Sequence, residues 1–553
     1  MSLLKHVGTI GSLTMLSRVA GMAREMIFAR VLGANAITDA WFQAFIIPNV
    51  FRRLFAEGAF SAAFVPMFSK RLRSAEDETS GLDEARSFSD DVLSVFLPVL
   101  IVLCAVMMLA MPWIIWALGD QARDPANFDM EVAFARIMFP YILLVSLVTL
   151  FTGMLNSVSR FAPGASFPII LNLVLIAALL IGDYAMDNWG WTTRQVGYGQ
   201  AWAVTIGGVI QLVWVYIWTR VEGFRPKLLW PRITPEVKRL SIIALPAAIG
   251  GGAYQINTLV QLYFLNQLDS GSISYMNYAD RLNQLPLGII GIALSTAILP
   301  TLSKFVGAKN KEGTDRVQSD AIELSMLLTI PAAVALVVCA VPFVTMIFQG
   351  GQFSLDQARL TGEVLAALVL GLPAYVLVKV LVPNFYARSD TRTPVYAAFL
   401  SLTIFLLVCI WNNGFAVGGP VAMAGTTLTL PRLEMAGLGY GVQGIAFASA
   451  IGAWANVAYL YLVLVKRGYY AIPLALVLRI ARQLIAAAAM GAALWFAQGL
   501  LTPYYDAGLL GRLFALLVLV LCSAVVYFGV AFAVGAIDRK RIAALTKKRS
   551  PTG

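Results

Sequence analysis

Arginines inside apolar stretches are the residues of this sequence whose type and position best suit a chemical role. Arg18 and Arg24 interrupt the first apolar stretch, and Arg52 and Arg53 interrupt the second. An arginine at the centre of a membrane-spanning helix costs about 2.5 to 3.5 kcal/mol, so it normally faces a protein interior or a watery cavity. Its planar guanidinium can hold a phosphate through two parallel hydrogen bonds. The pattern therefore predicts an anion site, with a pyrophosphate-bearing ligand as the natural candidate.

Polar residues beside prolines extend this candidate site. Pro48 removes a backbone donor and can bend its helix just before Asn49. In the second half of the chain, Asp280 and Arg281 shortly precede Pro286. Further along the chain, Lys379 lies between Pro373 and Pro383. The predicted binding residues are Arg18, Arg24, Asp39, Asn49, Arg52, Arg53, Asp280, Arg281 and Lys379.

Several of these residues have a second interpretation. Asp39 and Asp280 could orient arginines, contact sugar hydroxyls or take part in ion coupling, and the sequence leaves these roles open. Glu25 lies seven residues after Arg18, about two helical turns away, and is a possible partner for it. For each charged residue, the alternative to a binding role is an internal ion pair or a side chain that extends to the membrane surface. For Arg53 the sequence favours neither the binding role nor this alternative.

The elements that position these residues are predicted to be membrane-spanning helices. The chain of 553 residues is 59% hydrophobic and 13% charged, whereas a soluble domain has about 25% charged residues. Apolar runs of about 20 residues, enough to cross a bilayer, recur throughout. The predicted fold is an all-α polytopic membrane protein of about fourteen helices, centred near Ala20, Arg52, Leu103, Leu144, Leu173, Gly208, Gly250, Gly288, Ala333, Leu368, Leu402, Ile451, Ala487 and Val520. The Gly-rich region from Asn412 to Leu433 is predicted to be an external loop.

Loop charges predict the orientation of the helices. Alternate loops hold clusters of Lys and Arg, whereas the others hold about one basic residue each: Arg123, Arg194, Arg359, Arg432 and Arg512. Cytoplasmic loops keep the basic excess, so both termini are predicted to be cytoplasmic. Much of the +11 net charge is therefore topological, and no nucleic-acid-binding motif accompanies it.

An internal repeat predicts two related halves. Ala59–Lys70 (AFSAAFVPMFSK) matches Ala293–Lys304 (ALSTAILPTLSK) at six positions with an offset of 234. The repeat spans six helices, which gives both halves one orientation, an architecture found in transporters. The predicted domains are an N-lobe (1–222), a C-lobe (236–467), two additional helices (474–537) and a basic tail (538–553).

Cysteine and histidine usage argues against a metal or a cofactor. The cysteines lie far apart within apolar segments, as expected for buried small side chains: Cys104, Cys339, Cys409 and Cys522. The single histidine, His6, has no potential metal ligand at the usual spacing. No cofactor is predicted, and the absence of a GxxxxGK[ST] loop leaves membrane potential or ion exchange as the energy source.

Three segments resemble the bacterial MurJ (MviN) family of lipid II flippases, and the resemblance extends over essentially the whole chain. They are the stretch from Ser17 to Pro66, YADRLNQLPLGIIGIALSTAILPTLSK from Tyr278, and LVKVLVPNFYARSDTRTP from Leu377. The resemblance implies the multidrug/oligosaccharidyl-lipid/polysaccharide exporter fold. The family's essential cations match Arg18, Arg24, Arg52 and Arg281, and Asp39 and Lys379 also match. A family acidic position is Gln284 here.

The function that the resemblance implies is transport of lipid II, an undecaprenyl-pyrophosphate-linked peptidoglycan precursor, to the periplasmic leaflet by alternating access. It implies an inner-membrane protein, no enzyme activity, and membrane lipids as partners. Cell-wall synthesis proteins are further candidate partners, and we expect a monomer. The alternatives are a flippase for another lipid-linked oligosaccharide such as O-antigen, and a drug/cation antiporter. An antiporter cavity should be rich in carboxylates, whereas this one is rich in arginines.

Overall fold

The computed structural model shows a helical chain and describes residues 3–55, 59–74, 78–118, 125–423, 426–435, 437–505 and 507–536. The chain divides into two units. Unit 1 comprises Met1–Ser274, Gly350–Phe353 and Ala416–Glu434. Unit 2 comprises Tyr275–Gln349, Ser354–Phe415 and Met435–Gly553.

Unit 1 is built from the first nine helices. They are α1 (Leu3–Leu32), α2 (Ala36–Phe55), α3 (Ala59–Ser74), α4 (Glu78–Ala117), α5 (Pro125–Met138), α6 (Tyr141–Ser157), α7 (Ala162–Trp189), α8 (Thr193–Val221) and α9 (Pro235–Leu265). Phe60, Phe64 and Phe68 recur every fourth residue of α3, so they lie on one face and stack with each other. Phe64 also stacks on Phe88 of α4, so this aromatic row forms part of a hydrophobic core cluster of the unit.

Unit 2 contains the remaining helices, one of which continues through a π-helical turn (Leu287–Gly291). The helices are α10 (Ser272–Pro286, whose first turn belongs to unit 1), α11 (Ile292–Gly307), α12 (Lys311–Val338), α13 (Ala340–Phe348), α14 (Leu355–Val369), α15 (Leu372–Tyr386), α16 (Arg392–Asn413), α17 (Gly441–Lys466), α18 (Leu474–Leu500), α19 (Thr502–Tyr505) and α20 (Gly508–Ala533). Its core includes Ile298 and Leu302 of α11.

Ten helical segments among the described residues are long and apolar enough to cross a membrane. The ten do not include α1, α2, α9 or the α10–α11 pair. All fourteen predicted centres nevertheless fall in helices. The helical membrane fold is therefore confirmed, while the count of fourteen crossings stays a prediction. α1, α2 and α10 carry most of the predicted binding residues, and those charged side chains lower the hydropathy of their segments.

The sequence repeat falls on equivalent elements. α3 and α11 have 16 residues each, and each contains the matched proline, Pro66 or Pro300. α2 has 20 residues, the same length as α10 together with its π-helical turn. At an offset of 234, Phe64 and Phe68 correspond to Ile298 and Leu302. The two halves therefore use the same helix positions for their cores, filled with aromatic side chains in unit 1 and aliphatic ones in unit 2.

The division into units differs from the predicted lobe boundary at 222–236. α9 packs on α2, α3 and α4, and its buried Val237 and Leu240 join the aromatic core, so α9 belongs to unit 1. The predicted lobes are defined by the internal sequence repeat, whereas the units are defined by packing contacts, so the lobe boundaries stay a prediction. α18 and α20 lie within the predicted 474–537 segment, and the tail 538–553 lies outside the described residues.

The region predicted to be an external loop contains two paired strands. They are β1 (Phe415–Met423) and β2 (Thr426–Met435), which form a two-stranded sheet. The alternation of Thr and Leu at the start of β2 is typical of a strand. The chain predicted to be all-α therefore contains a β-hairpin between α16 and α17.

A salt bridge joins equivalent positions in each half, with its charges exchanged. In unit 1, Arg160 Nε lies 2.8 Å from a Glu222 carboxylate oxygen, linking the α6–α7 loop to the end of α8. In unit 2, Arg467 Nη1 lies 2.5 Å from an Asp390 oxygen, linking the α15–α16 loop to the end of α17. The residue before the loop partner has a positive φ in both halves, 63° at Ser159 and 59° at its counterpart. The loop geometry is therefore repeated although the charges are reversed.

Hydrogen bonds dominate the pKa of Asp390. Burial alone would raise the pKa of this carboxyl, but donors from the Thr393 side chain and amide, from Arg467 and from the Arg392 amide lower it to about 2. Asp390 is therefore ionised at neutral pH, and it accepts bonds from the first amides of α16 as well as from Arg467.

Candidate functional site

α1 carries two of the predicted cations in different environments. Arg24 is 6% exposed and its guanidinium donates to the carboxylate of Glu25, which is 1% exposed. Arg18 is half-buried and has no hydrogen bond or ion pair in the described part of the chain. The sequence made Glu25 a possible partner for Arg18, but the structure pairs it with Arg24. Of these two predicted cations, Arg24 is therefore paired with its neighbour, whereas Arg18 has no charged partner among the described residues.

Arg52 on α2 is oriented by a neighbouring amide. Asn49 Nδ2 donates to the carbonyl of Phe45 (2.9 Å), and Arg52 Nε donates to Asn49 Oδ1 (3.0 Å). Asn49, which immediately follows Pro48, thus fixes the direction of the Arg52 guanidinium one turn further along the helix. The binding role predicted for Asn49 stays a prediction, and its observed bonds position Arg52. The side chain of Arg53, like Glu57, lies outside the described residues.

Asp39 caps another helix. Its carboxylate, 0% exposed, accepts from the Gly271 amide (2.6 Å), the Ser274 amide (2.8 Å) and the Ser274 hydroxyl (2.7 Å). The Gly271 amide directly precedes α10 and the Ser274 amide lies in its first turn, where the positive end of the helix dipole favours a negative charge. The binding role predicted for Asp39 stays a prediction, and its observed bonds fix the start of the helix that carries Arg281. Sequence reasoning missed Ser274 because its partner is more than 200 residues away.

Asp280 and Arg281 lie in the middle of α10. An oxygen of Asp280 accepts a bond from the amide of Gln284, one turn later on the same helix face. Gln284 occupies the position where the resembling family has an acid, and here it is a donor to Asp280. Arg281 is half-buried. The carboxylate chemistry of this part of α10 is therefore carried by Asp280 alone.

Lys379 on α15 passes close to the π-helical turn. It is half-buried and has no hydrogen bond or ion pair among the described residues. A Cβ atom added at Gly291 would lie 2.7 Å from Lys379 Cδ, closer than real Cβ contacts come. A larger residue at this position would force the Lys379 side chain to move, and π-helical turns are frequent at functional sites. The sequence signal for Gly291 was weak, because one glycine among several in an apolar run has many explanations.

The predicted cations are thus distributed over both units, and each set is placed by its own helices. Unit 1 holds Arg18, Arg24 and Arg52 on α1 and α2, and unit 2 holds Arg281 and Lys379 on α10 and α15. Guanidinium and ammonium groups of this kind bind phosphates by charge and hydrogen bonding. Across the described residues, no group of three or more His, Cys, Asp or Glu side chains could hold a metal ion.

Comparison with known proteins agrees with this chemistry. The family described as "Lipid II flippase MurJ" matches residues 28–516. A "Probable lipid II flippase MurJ" of Rhizobium meliloti (strain 1021) is 40% identical over 99% of this chain and 97% of its own length. The "Lipid II flippase MurJ" of Burkholderia cenocepacia is 32% identical over 97% of this chain and 98% of its own length.

Solved structures share the fold. "Lipid II flippase MurJ, inward closed conformation" superimposes with a TM-score of 0.72 at 23% identity, over 94% of this chain and 97% of that one. An inward-facing "multidrug resistance MATE family transporter of the MOP superfamily" gives 0.61 at 13% identity, over 83% and 97%. These likenesses concern the fold, and the family assignment rests on sequence. The chain belongs to the lipid II flippase MurJ family, a family of transporters rather than enzymes.

Proposed function

We propose that this chain translocates lipid II from the cytoplasmic to the periplasmic leaflet of the bacterial inner membrane, for cell-wall synthesis. Family membership supports the substrate and the reaction. The arrangement of cations supports the residues involved. Arg18, Arg24 and Arg52 of unit 1 bind the anionic pyrophosphate, and Arg281 and Lys379 supply a second set of donors in unit 2.

The observation that carries this assignment is the contrast between a predicted cation that has an internal partner and two that have none among the described residues. Glu25 pairs with Arg24. Arg18 and Lys379 have no partner in the described part of the chain. An unpaired cation inside a membrane protein raises the free energy of the protein. An anionic ligand that binds Arg18 and Lys379 offsets this cost, because no internal ion pair among the described residues does so.

The physical task of a flippase is to keep a charged head group out of hydrocarbon. A pyrophosphate that enters the bilayer core alone loses its hydration, which costs far more than a neutral group would lose. Guanidinium and ammonium donors replace that hydration with charge-assisted hydrogen bonds. The polyprenyl tail needs no such site, because it is already soluble in the lipid.

The test is transport of lipid II in proteoliposomes. Arg18→Ala and Lys379→Ala should each reduce transport at least tenfold, since loss of one charge-assisted bond costs about 1.5 to 3 kcal/mol. Arg316→Ala is the matched control, because Arg316 is an exposed arginine whose ion pair with Glu312 lies on the first turns of α12. Transport retained by both cation variants would refute the assignment of these residues.

The choice of substrate is tested separately with the unchanged protein. Lipid II and an O-antigen-type lipid-linked glycan carry the same pyrophosphate, so the cations alone would bind either. We expect lipid II to be transported in preference, at fixed membrane potential and ion gradients. Equal transport of both lipids would contradict a dedicated lipid II flippase while leaving the role of the cations intact.

Orientation and assembly complete the proposal. The basic loops support cytoplasmic placement of both termini. One chain carries both sets of cations, so we propose that a single copy is active. Protease protection of a tag after Gly553 in sealed inside-out vesicles would contradict the orientation, and loss of activity on dilution to one copy per vesicle would contradict the monomer.

A further inference from the structure

The segment between α8 and α9 exposes large apolar side chains outside any membrane span. Leu228 is 67% exposed, Trp230 84% and Ile233 78%. The span of α8 ends at Val221, so contact with the bilayer core by that helix does not explain these exposures. We call residues 225–234 the α8–α9 linker; it has no helix or strand.

Both ends of the linker are fixed to unit 1. Just before it, Arg86 Nη2 donates to the carbonyl of Gly223 (2.7 Å) and Phe224 is fully buried against Phe68. Within it, the amide of Lys227 donates to Asp90 Oδ1 (2.8 Å). At its far end Thr234 caps α9. The exposed residues therefore lie on a short path between two anchored points, at the end of a membrane-spanning helix.

Basic side chains accompany the apolar ones. Arg225, Lys227 and Arg232 are exposed within the linker, and Lys238 and Arg239 are exposed in the first turns of α9. Glu236 is the one acidic residue between 225 and 239, which leaves four net positive charges there. Tryptophan beside basic residues is the composition found at the head-group level of membranes.

From this arrangement we infer that the α8–α9 linker docks on the anionic surface of the membrane, with Trp230 and Ile233 inserted at head-group level. The basic side chains contact lipid phosphates, and the loop charges predict that this surface is the cytoplasmic one. The ligand is the head groups of anionic phospholipids in the surrounding bilayer, not the transported lipid. The inference is therefore independent of the cations of α1, α2, α10 and α15.

The test measures where residue 230 lies in vesicles of phosphatidylcholine with and without phosphatidylglycerol. Trp230→Cys carries an environment-sensitive aromatic fluorophore in the full chain, with the native cysteines replaced by alanine. Lys311→Cys is the matched site, because Lys311 is also exposed and is the first residue of α12, at a helix end predicted to lie on the same side of the membrane. We expect brominated lipids to quench the fluorophore at 230 and aqueous iodide to quench the one at 311.

Charge removal tests the lipid specificity. A basic residue at an anionic surface contributes about fivefold to binding, so Lys227→Gln with Arg232→Gln should lower the docked-to-undocked ratio about twenty-five-fold. These changes leave the amide of Lys227 on Asp90. Lys304→Gln with Lys309→Gln removes two exposed charges elsewhere and should leave the ratio unchanged.

Three results would overturn the inference. Quenching of residue 230 by iodide as strong as at 311 would mean that the linker is in water. Protection from both quenchers would mean that a second copy of the chain covers it. Lipid quenching that is independent of phosphatidylglycerol would mean that the basic residues do not read the lipid charge.

Discussion

Replacement of Asp39 should loosen the start of α10. Asp39→Ala leaves the amides of Gly271 and Ser274 without their acceptor in a buried position. An orphaned buried donor costs about 1 to 3 kcal/mol, so the two together predict a loss of about 2 to 6 kcal/mol. This value exceeds the roughly 1 kcal/mol of an exposed helix cap, because water cannot replace the lost acceptor here.

Two companion variants divide this energy. Asp39→Asn keeps one oxygen for Ser274 but turns an amide nitrogen towards the Gly271 amide, so it should cost about half as much. Ser274→Ala removes the hydroxyl that bonds Asp39 and Thr38 but keeps the backbone amide bonds to Asp39, and it should cost about 1 kcal/mol. The predicted order of destabilisation is Asp39→Ala, then Asp39→Asn, then Ser274→Ala.

Hydrogen exchange of the peptide that contains residues 271–276 measures this local opening, and thermal unfolding in detergent measures the global effect. A local loss of 2 kcal/mol should accelerate exchange about thirtyfold. Equal exchange in Asp39→Ala and the unchanged protein would refute the capping argument. If Asp39→Asn abolished lipid II transport without any change in exchange or melting, Asp39 would act on the substrate and not on α10.

Three further predictions follow from contacts outside this cap. Gly291→Ala should displace the side chain of Lys379 and reduce lipid II transport several-fold, but should have no further effect in a Lys379→Ala chain, where no Cδ atom blocks the new methyl group. Arg160→Glu should lower the melting temperature slightly, and adding Glu222→Arg should restore it, because a partly exposed pair contributes about 0.2 to 1 kcal/mol. The lowered pKa of Asp390 means that its charge stabilises the folded chain fully above its ordinary pKa of about 3.9, and that this contribution disappears as the pH falls towards about 2. Asp390→Asn should therefore remove part of the fall in melting temperature over that acid range.

The Gly291 and Asp390 predictions each have a matched control variant, and the Arg160 prediction has a contradicting outcome. Gly499→Ala adds a methyl group where nothing lies within 4 Å, so transport should be unchanged. An additive loss in the Gly291 and Lys379 double variant would show that Gly291 acts through something other than Lys379. Asp356 is an exposed acid with a long ion pair, so Asp356→Asn should leave the acid profile as it is. A melting temperature that is lower in the Arg160→Glu, Glu222→Arg double variant than in Arg160→Glu alone would contradict a stabilising role of this salt bridge.

The sequence predicted the elements of this protein better than the bonds between them. Apolar runs report helices directly, because a chain that crosses lipid must satisfy its backbone internally. Arginines within apolar segments indicate a functional site for a similar reason, because the free-energy cost of placing them in the membrane must be offset by a role. Asp39 shows where this reasoning stops. Its partner, Ser274, lies 235 residues away, and no local pattern encodes that distance. Gly291 is a similar case, because a glycine at this position makes room for Lys379, a side chain of another helix.

The exchanged salt bridges explain how two duplicated halves can repeat one geometry without confusion. Each loop must find the helix end from its own half during folding, although the equivalent helix end of the other half has the same shape. A cross-pairing would bring Arg160 towards Arg467, and Glu222 towards Asp390, so both wrong contacts would repel. Correct pairing gives attraction in both halves. A pair that adds little to the stability of either half can therefore still discriminate between them, because the difference includes the repulsion that the wrong pairing would suffer.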